Sequence, residues 1–429
     1  YYMPFLDVAL PQMPRLRALI FTASPSVHPQ HMIGWSSIQR ILSLPLPNLA
    51  QLAFDLHWIA SELLPGEELA LHEASIALRS FQYTPYRELT DLRGAEAQPY
   101  EARAVKLIAE RSRDVLERLA LPMHSAPLDL LCSGPIWPNL RELRLKGEYR
   151  AVENRFGAPV PYVLAFANMP RLRVLALELA QPEGVDPQPL WPANHPAATW
   201  PWPDLTELAV SCPQVDDRIY RELPRTLRSL SLQYSPHYTD YVWMCGAGYS
   251  PDVAWQWPLL NASEMLRVLR QCRLPALRHL SLEYLYGDGD GDGEGELLNY
   301  IARAFPGLTS LELLRCHRRV DGDNVREVQD PLERICRPLQ SLDHLRALSL
   351  HLDLVQTPSP FRPAAFTHPY DNEDLRSFYT TQHEVADRMA VVLGPELEEI
   401  KLWRPHSDRI YDWRCYEVVR SSDFGTYVR

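Results

Sequence analysis

The 429-residue sequence contains no C-x-x-C pair, no H-E-x-x-H, no G-x-S-x-G and no glycine-rich phosphate loop. The residue sets that usually announce a metal, a nucleophile or a nucleotide are therefore missing. No apolar run approaches the roughly 18 to 20 residues that span a bilayer, and no charged-then-apolar signal opens the chain. Positive charge is in deficit. The 43 Lys and Arg against 54 Asp and Glu leave a net charge of -11, which argues against a nucleic-acid or anionic-membrane partner. The seven cysteines are odd in number and irregularly spaced, as expected of reduced, mostly buried thiols in an intracellular protein, cytoplasmic or nuclear. The lone sequon, Asn261-Ala262-Ser263, weighs little against that expectation. An initiator methionine is also missing from "YYMPFLDVAL", which leaves room for a preceding segment in a longer chain.

What the sequence does have is a recurrence. "MPRLRALIF" (13–21) returns as "LPNLAQLAF" (46–54), "WPNLRELRL" (137–145), "MPRLRVLAL" (169–177), "WPDLTELAV" (202–210), "LPALRHLSL" (274–282) and "FPGLTSLEL" (305–313). Variants with the proline shifted or missing bring the number of cores to twelve. Their first leucines are Leu16, Leu49, Leu78, Leu116, Leu140, Leu172, Leu205, Leu227, Leu277, Leu308, Leu345 and Leu397, spaced by 22 to 52 residues. This is the pattern of the leucine-rich repeat.

In Leu-x-x-Leu-x-Leu the last two leucines lie two apart, so in a short strand both face the core while the residue between them faces out. A proline just ahead suits a strand start and ends any preceding helix. Segments of helical period lie between the cores, among them "EARAVKLIAE" (101–110), "ASEMLRVLRQC" (262–272), "ELLNYIARAF" (296–305) and "QHEVADRMAVVL" (382–393). The expected fold is thus α/β: a leucine-rich-repeat solenoid, an irregular horseshoe with parallel strands on the concave face and helices and loops outside. Leu140–Leu145 and Leu172–Leu177 are expected to be neighbouring strands. The Asn or Cys that a regular ladder places eight residues after the first leucine occurs only as Cys316, the others being residues such as Ser24, His57, His124, Glu148 and Pro405. Residues 1–403 read as about twelve divergent repeats and 404–429, alternating around Ser-Ser-Asp-Phe-Gly, as a capping hairpin.

The insertions "QPLWPANHPAATWPWP" (188–203) and "SPDVAWQWP" (250–258) admit two readings: an aromatic docking surface, or Trp137, Trp202 and Trp257 plugging repeat ends ahead of their prolines. "YGDGDGDGEGELLN" (286–299) imitates a calcium loop through Asp288, Asp290, Asp292 and Gly293. The imitation fails where Asn299 replaces the bidentate carboxylate, so an acidic loop is expected. Cys316-His317 and the fourteen scattered histidines form no metal or catalytic pattern. No cofactor, metal or enzymatic activity is expected.

Two columns carry the binding expectation. Arginine follows the first leucine at Arg17, Arg79, Arg141, Arg173, Arg228, Arg278 and Arg346, giving a stripe that either steers an acidic segment or pairs with neighbouring acids over the leucine layer. Between the last two leucines stand the small residues Ala53, Ala120, Ala176, Ala209, Ser231, Ser281 and Ser349, leaving the concave face open. Partner-binding candidates on and around that face are Arg141, Arg144, Arg173, Glu178, Arg228, His279, Glu283, Glu312, Lys401 and Trp403.

The Pro-x-Leu-x-x-Leu-x-Leu cores, the Trp-Pro insertions and the final "LEEIKLW" with its "WRCYEVVR" tail resemble the repeat region of fungal F-box-like leucine-rich-repeat proteins. That resemblance implies a substrate-recognition region of a ubiquitin ligase, and a monomer is expected. Its protein target would sit on the concave face, and the ligase adaptor would be reached through an F-box ahead of Tyr1. The alternative is a free-standing scaffold or inhibitor unrelated to ubiquitin.

Overall fold

The computed structural model describes residues 3–22, 35–44, 46–55, 78–84, 99–133, 135–153, 159–193, 199–235, 237, 255–287, 293–317, 332–352, 373–405, 411–421 and 425–429. Ser24, His57, Cys245 and the acidic loop Asp288–Asp292 lie outside them. The chain forms two compact units, one of residues 1–182 with 190–205, the other of residues 183–189 with 206–429.

The first unit holds β1 (Ala18–Thr22), β2 (Gln51–Asp55), β3 (Ser80–Tyr83), β4 (Arg118–Pro122), β5 (Glu142–Glu148) and β6 (Val174–Pro182). They pair in chain order and in parallel. The second unit has β7 (Glu207–Val210), β8 (Ser229–Leu232), β9 (Trp255–Gln256), β10 (His279–Tyr286), β11 (Ser310–His317), β12 (Ala347–Leu350) and β13 (Glu399–Pro405). All of these except β9 again pair in parallel and in chain order. Then β14 (Tyr411–Ser421) runs antiparallel to β13, and β15 (Gly425–Val428) antiparallel to β14. The fold is mixed α/β, its strands mostly parallel in open sheets. All twelve leucine cores are strands, and Leu143 and Leu145 lie beside Leu175 and Leu177 as expected.

Register follows the leucines. In the second unit Leu208, Leu230, Leu280, Leu311, Leu348 and Ile400 make one apolar ladder, and Val210, Leu232, Leu282, Leu313, Leu350 and Leu402 the next. A slip of one residue would turn both ladders to solvent. The proline ahead of each core has a more specific role than ending a helix. In seven repeats the residue before it accepts, through its carbonyl, the N–H of the first leucine: Met13 from Leu16, Leu46 from Leu49, Met169 from Leu172, Trp202 from Leu205, Leu274 from Leu277, Phe305 from Leu308 and Gly394 from Leu397, at 2.9 to 3.3 Å. Proline thus occupies the second position of a tight turn, where its fixed φ is already right and no donor is missed.

A second backbone device joins the repeats. In ten of the twelve repeats the residue after the first leucine lends its carbonyl to two N–H groups of the next: Arg17 to Ala50 and Gln51, Arg79 to Glu117 and Arg118, Arg141 to Arg173 and Val174, Arg228 to Arg278 and His279, Arg346 to Glu398 and Glu399. Ala50, Glu117, Thr206, Arg278 and Thr309 do the same. Each oxygen has two lone pairs and uses both.

The longer helices are α1 (Trp35–Ser43), α2 (Pro99–Ser112), α3 (Ala262–Leu269), α4 (Gly293–Ala304) and α5 (Glu373–Val392). Asn261, the residue of the sequon, starts α3: its Oδ1 accepts from Glu264 N at 2.8 Å while Glu264 accepts from Asn261 N at 2.9 Å. Two of the helix's first donors are thereby satisfied. Asn261→Ala is expected to cost about 1 kcal/mol, read as a lower urea midpoint with unchanged slope. A loss under a few tenths would show that the box adds nothing.

One charged cluster lies within the core of the second unit. On β11, Arg315 follows Leu311 and Leu313 at the same parity and so faces inward, with its side chain 1% exposed. Its Nε and Nη2 donate to the two oxygens of Glu294, in the first turn of α4, at 2.6 and 2.8 Å. The Tyr284 hydroxyl donates to Glu294 at 3.0 Å, the Tyr286 ring lies 4.3 Å from the guanidinium, and Arg334 reaches Glu294 at 3.6 Å.

Candidate functional site: the open strand faces

The residues between the ladder leucines form the open face of each sheet. In the first unit this column reads Ile20, Ala53, Gln82, Ala120, Arg144 and Ala176. In the second it reads Ala209, Ser231, Ser281, Glu312, Ser349 and Lys401, with Cys415 of β14 opposite Lys401. Arg144, Glu312 and Lys401 therefore stand in the small-residue column itself.

On the first unit the candidate charges are paired. Glu142 takes Arg144 at 2.6 Å and Arg118 at 3.6 Å, and Lys146 meets Glu178 at 3.6 Å. Glu117 lies between two members of the arginine stripe, 3.2 Å from Arg79 and 3.9 Å from Arg141. Arg346 in the second unit is likewise held by Glu398 and Glu396, at 3.6 and 3.9 Å. These side chains are largely solvated, so each pair is worth at most about 1 kcal/mol. Pairing nonetheless removes much of the stripe's positive field. Of the two readings of the stripe, these three arginines follow the one in which the heads meet neighbouring acids. Arg173 and Arg228 are exposed at their strand starts.

The second unit brings two of the ten candidates, Glu312 and Lys401, into one charge network. Ser231 Oγ donates to Gln233 at 3.3 Å, and Gln233 donates to Glu312. Lys401 lies 2.9 Å from Glu399. Its ammonium pKa is raised, first by the hydrogen bond to Glu399 and then by the charges of Glu399, Cys415 and Glu312, against a smaller opposing effect of burial. His279 is exposed at the start of β10 in the neighbouring column, between Ser229 and Ser310.

Two candidates are not on open surface. Glu283 has the parity of the open face, yet its side chain is 0% exposed. Its Oε2 accepts from Tyr234 N and meets His237 Nδ1, both at 2.9 Å, so the chain beyond β8 lies over it. Trp403 is also buried: Trp413 crosses it at 4.6 Å between ring centres, and His237 sits edge-on at 5.9 Å. The expectation that Glu283 and Trp403 flank an accessible face is corrected here, because a covering segment and a second indole shield them. Trp413, Gln233 and His237 were not singled out from sequence. Only the alternation of "WRCYEVVR" hints that Trp413, Cys415 and Glu417 share a face.

Three of the described thiols are poor nucleophiles. Burial pushes Cys132, Cys212 and Cys272 up to about 12, helped at Cys132 by Asp129 and at Cys212 by Glu283. Cys316 is buried and Cys415 exposed. Among the described residues no group of three or more His, Cys, Asp or Glu is placed to hold a metal, and no helix is long and apolar enough to cross a membrane.

No family model matches the chain, and no curated protein matches it. Among solved structures it is similar to the crystal structure of Listeria monocytogenes InlP, with 12% identity over 97% of this chain and 80% of that one, at a TM-score of 0.23.

Proposed function

We propose that the protein is a leucine-rich-repeat binding module, an irregular solenoid that holds a partner protein against its open strand faces and performs no chemistry of its own. The carrying observation is the register: two buried ladders repeat from strand to strand, and the column between them, small at Ala209, Ser231 and Ser281 and charged at Arg144, Glu312 and Lys401, is the side that no ladder packs against. In a ubiquitin ligase this surface would select the substrate, and an F-box would recruit the adaptor. That reading rests on the sequence resemblance; a free-standing scaffold or inhibitor would use the same surface. The protein is proposed to act as an intracellular monomer, in keeping with its neutral buried thiols, and without nucleic acid or membrane as partner.

Introducing Ser231→Arg with Ser281→Arg places two long side chains on the face without touching the ladders. Proteins that co-purify with the tagged chain from its own cells are expected to fall at least tenfold, with unchanged circular dichroism. Full retention by this variant would sink the reading. Adaptor and cullin subunits in the wild-type eluate would favour the ligase receptor over the scaffold.

A further inference from the structure

Charge is distributed very unevenly between the two units. The second carries 35 acidic against 25 basic residues and the first 19 against 18, so ten of the eleven net negative charges belong to the second. Its open face has matching chemistry. Glu312 stands in the middle of a row of serines and accepts a hydrogen bond from Gln233. The one lysine of the column, Lys401, is held by Glu399. Beside the end of the row, two residues further along β13 and β14, the half-exposed Trp413 is braced against Trp403.

Resting on the binding-module reading, we propose that the open face of the second unit docks an extended lysine- or arginine-rich segment of a partner protein. Glu312 and Glu399 receive the cationic heads, and Trp413 stacks on one of them. The small side chains of Ala209, Ser231 and Ser281 matter because they leave room for a chain laid across the strands. The surplus negative charge speeds encounter within about 10 Å at 0.1 M salt. An indole is the best aromatic surface for a cation. An acidic segment would meet the opposite field, and three of the seven arginines that were candidates for attracting it, Arg79, Arg141 and Arg346, are engaged by Glu117, Glu396 and Glu398.

The test uses two fluorescein-labelled twelve-residue peptides, one with alternating Arg and Lys among glycine and serine, the other with Glu at the same positions. Anisotropy titrations at 50 and 300 mM salt are run on the wild type, on Glu312→Gln with Glu399→Gln, on Trp413→Ala, and on a control. The control, Asp216→Asn with Glu296→Gln, removes the same charge from exposed positions off the face. The expected result is saturable binding of the basic peptide, weaker at high salt. It should fall at least tenfold in the Glu312/Glu399 variant and severalfold in Trp413→Ala, but no more than twofold in the control. Tighter binding of the acidic peptide, equal losses in control and face variants, or no binding of the basic peptide overturns the proposal. If the arginine-blocked face loses its cellular partners while the basic peptide fails to bind, the binding-module reading stands and only the partner's charge is wrong.

Discussion

Replacing Arg315 with methionine is expected to cost about 3–5 kcal/mol of folding stability, because it leaves the Glu294 carboxylate buried without its main counter-charge. The Tyr284 hydroxyl and Arg334 still reach Glu294, which favours the lower end of that range. The same pair sets a pH dependence. Burial alone would push Glu294 up, but the charge and hydrogen bonds of Arg315, the Tyr284 hydroxyl and the charge of Arg334 outweigh it and hold the group below its ordinary value of 4.5. The unfolded chain therefore binds this proton more readily than the folded one. The stabilisation is complete above pH 4.5 and is lost as the pH falls through the lower folded value. Urea titrations between pH 3 and 7 are expected to show a steeper acid loss in the wild type than in Arg315→Met. Combining Arg315→Met with Glu294→Met and Tyr284→Phe should restore most of the neutral-pH loss, since an apolar cluster of similar volume needs no partner. A single-variant cost below about 1 kcal/mol would show that the cluster is not the buried pair described.

Trp202→Ala is the other large loss, also expected at about 3–5 kcal/mol. The ring is fully buried, its Nε1 donates to Phe166 O at 3.1 Å, and Trp200 packs on it edge-on at 5.4 Å with Trp191 stacked beyond at 6.1 Å. Removing the indole leaves a cavity between repeats and takes one of two donors from the Phe166 carbonyl, which keeps the Met169 N–H. Trp257→Ala serves as the comparison, because that ring is only half-buried and should cost clearly less. Thermal unfolding of the two variants side by side decides the matter; equal shifts would mean that burial is not what distinguishes them.

That contrast shows where sequence reading stops. Trp137, Trp202 and Trp257 all precede proline and read alike, yet the first two are fully buried and the third is not. The strands and their neighbours were legible because a period of two, repeated twelve times, leaves one register that hides every leucine. Parity also placed Arg144, Glu312 and Lys401 on the open side. It failed at Glu283, whose parity is right but whose cover comes from residues some 50 positions earlier, and no local pattern reports that. Arg315 is the reverse case. Its parity says core, but the partner that makes a buried arginine tolerable sits on a helix beyond an acidic loop, and pairing across such a gap leaves no trace in spacing.

The doubled carbonyl bonds have a consequence for how this chain can change over time. Successive leucines are 22 residues apart between β7 and β8 and 52 apart between β12 and β13, yet each β7–β8 and β12–β13 junction begins with the same pair of N–H groups on one oxygen. Lateral pitch is thus copied from backbone to backbone, independently of how much chain is spent before the next strand. Insertions and deletions can accumulate on the return path without moving the open face, so lineages of this protein should differ mainly in loop length while the strand surface keeps its spacing.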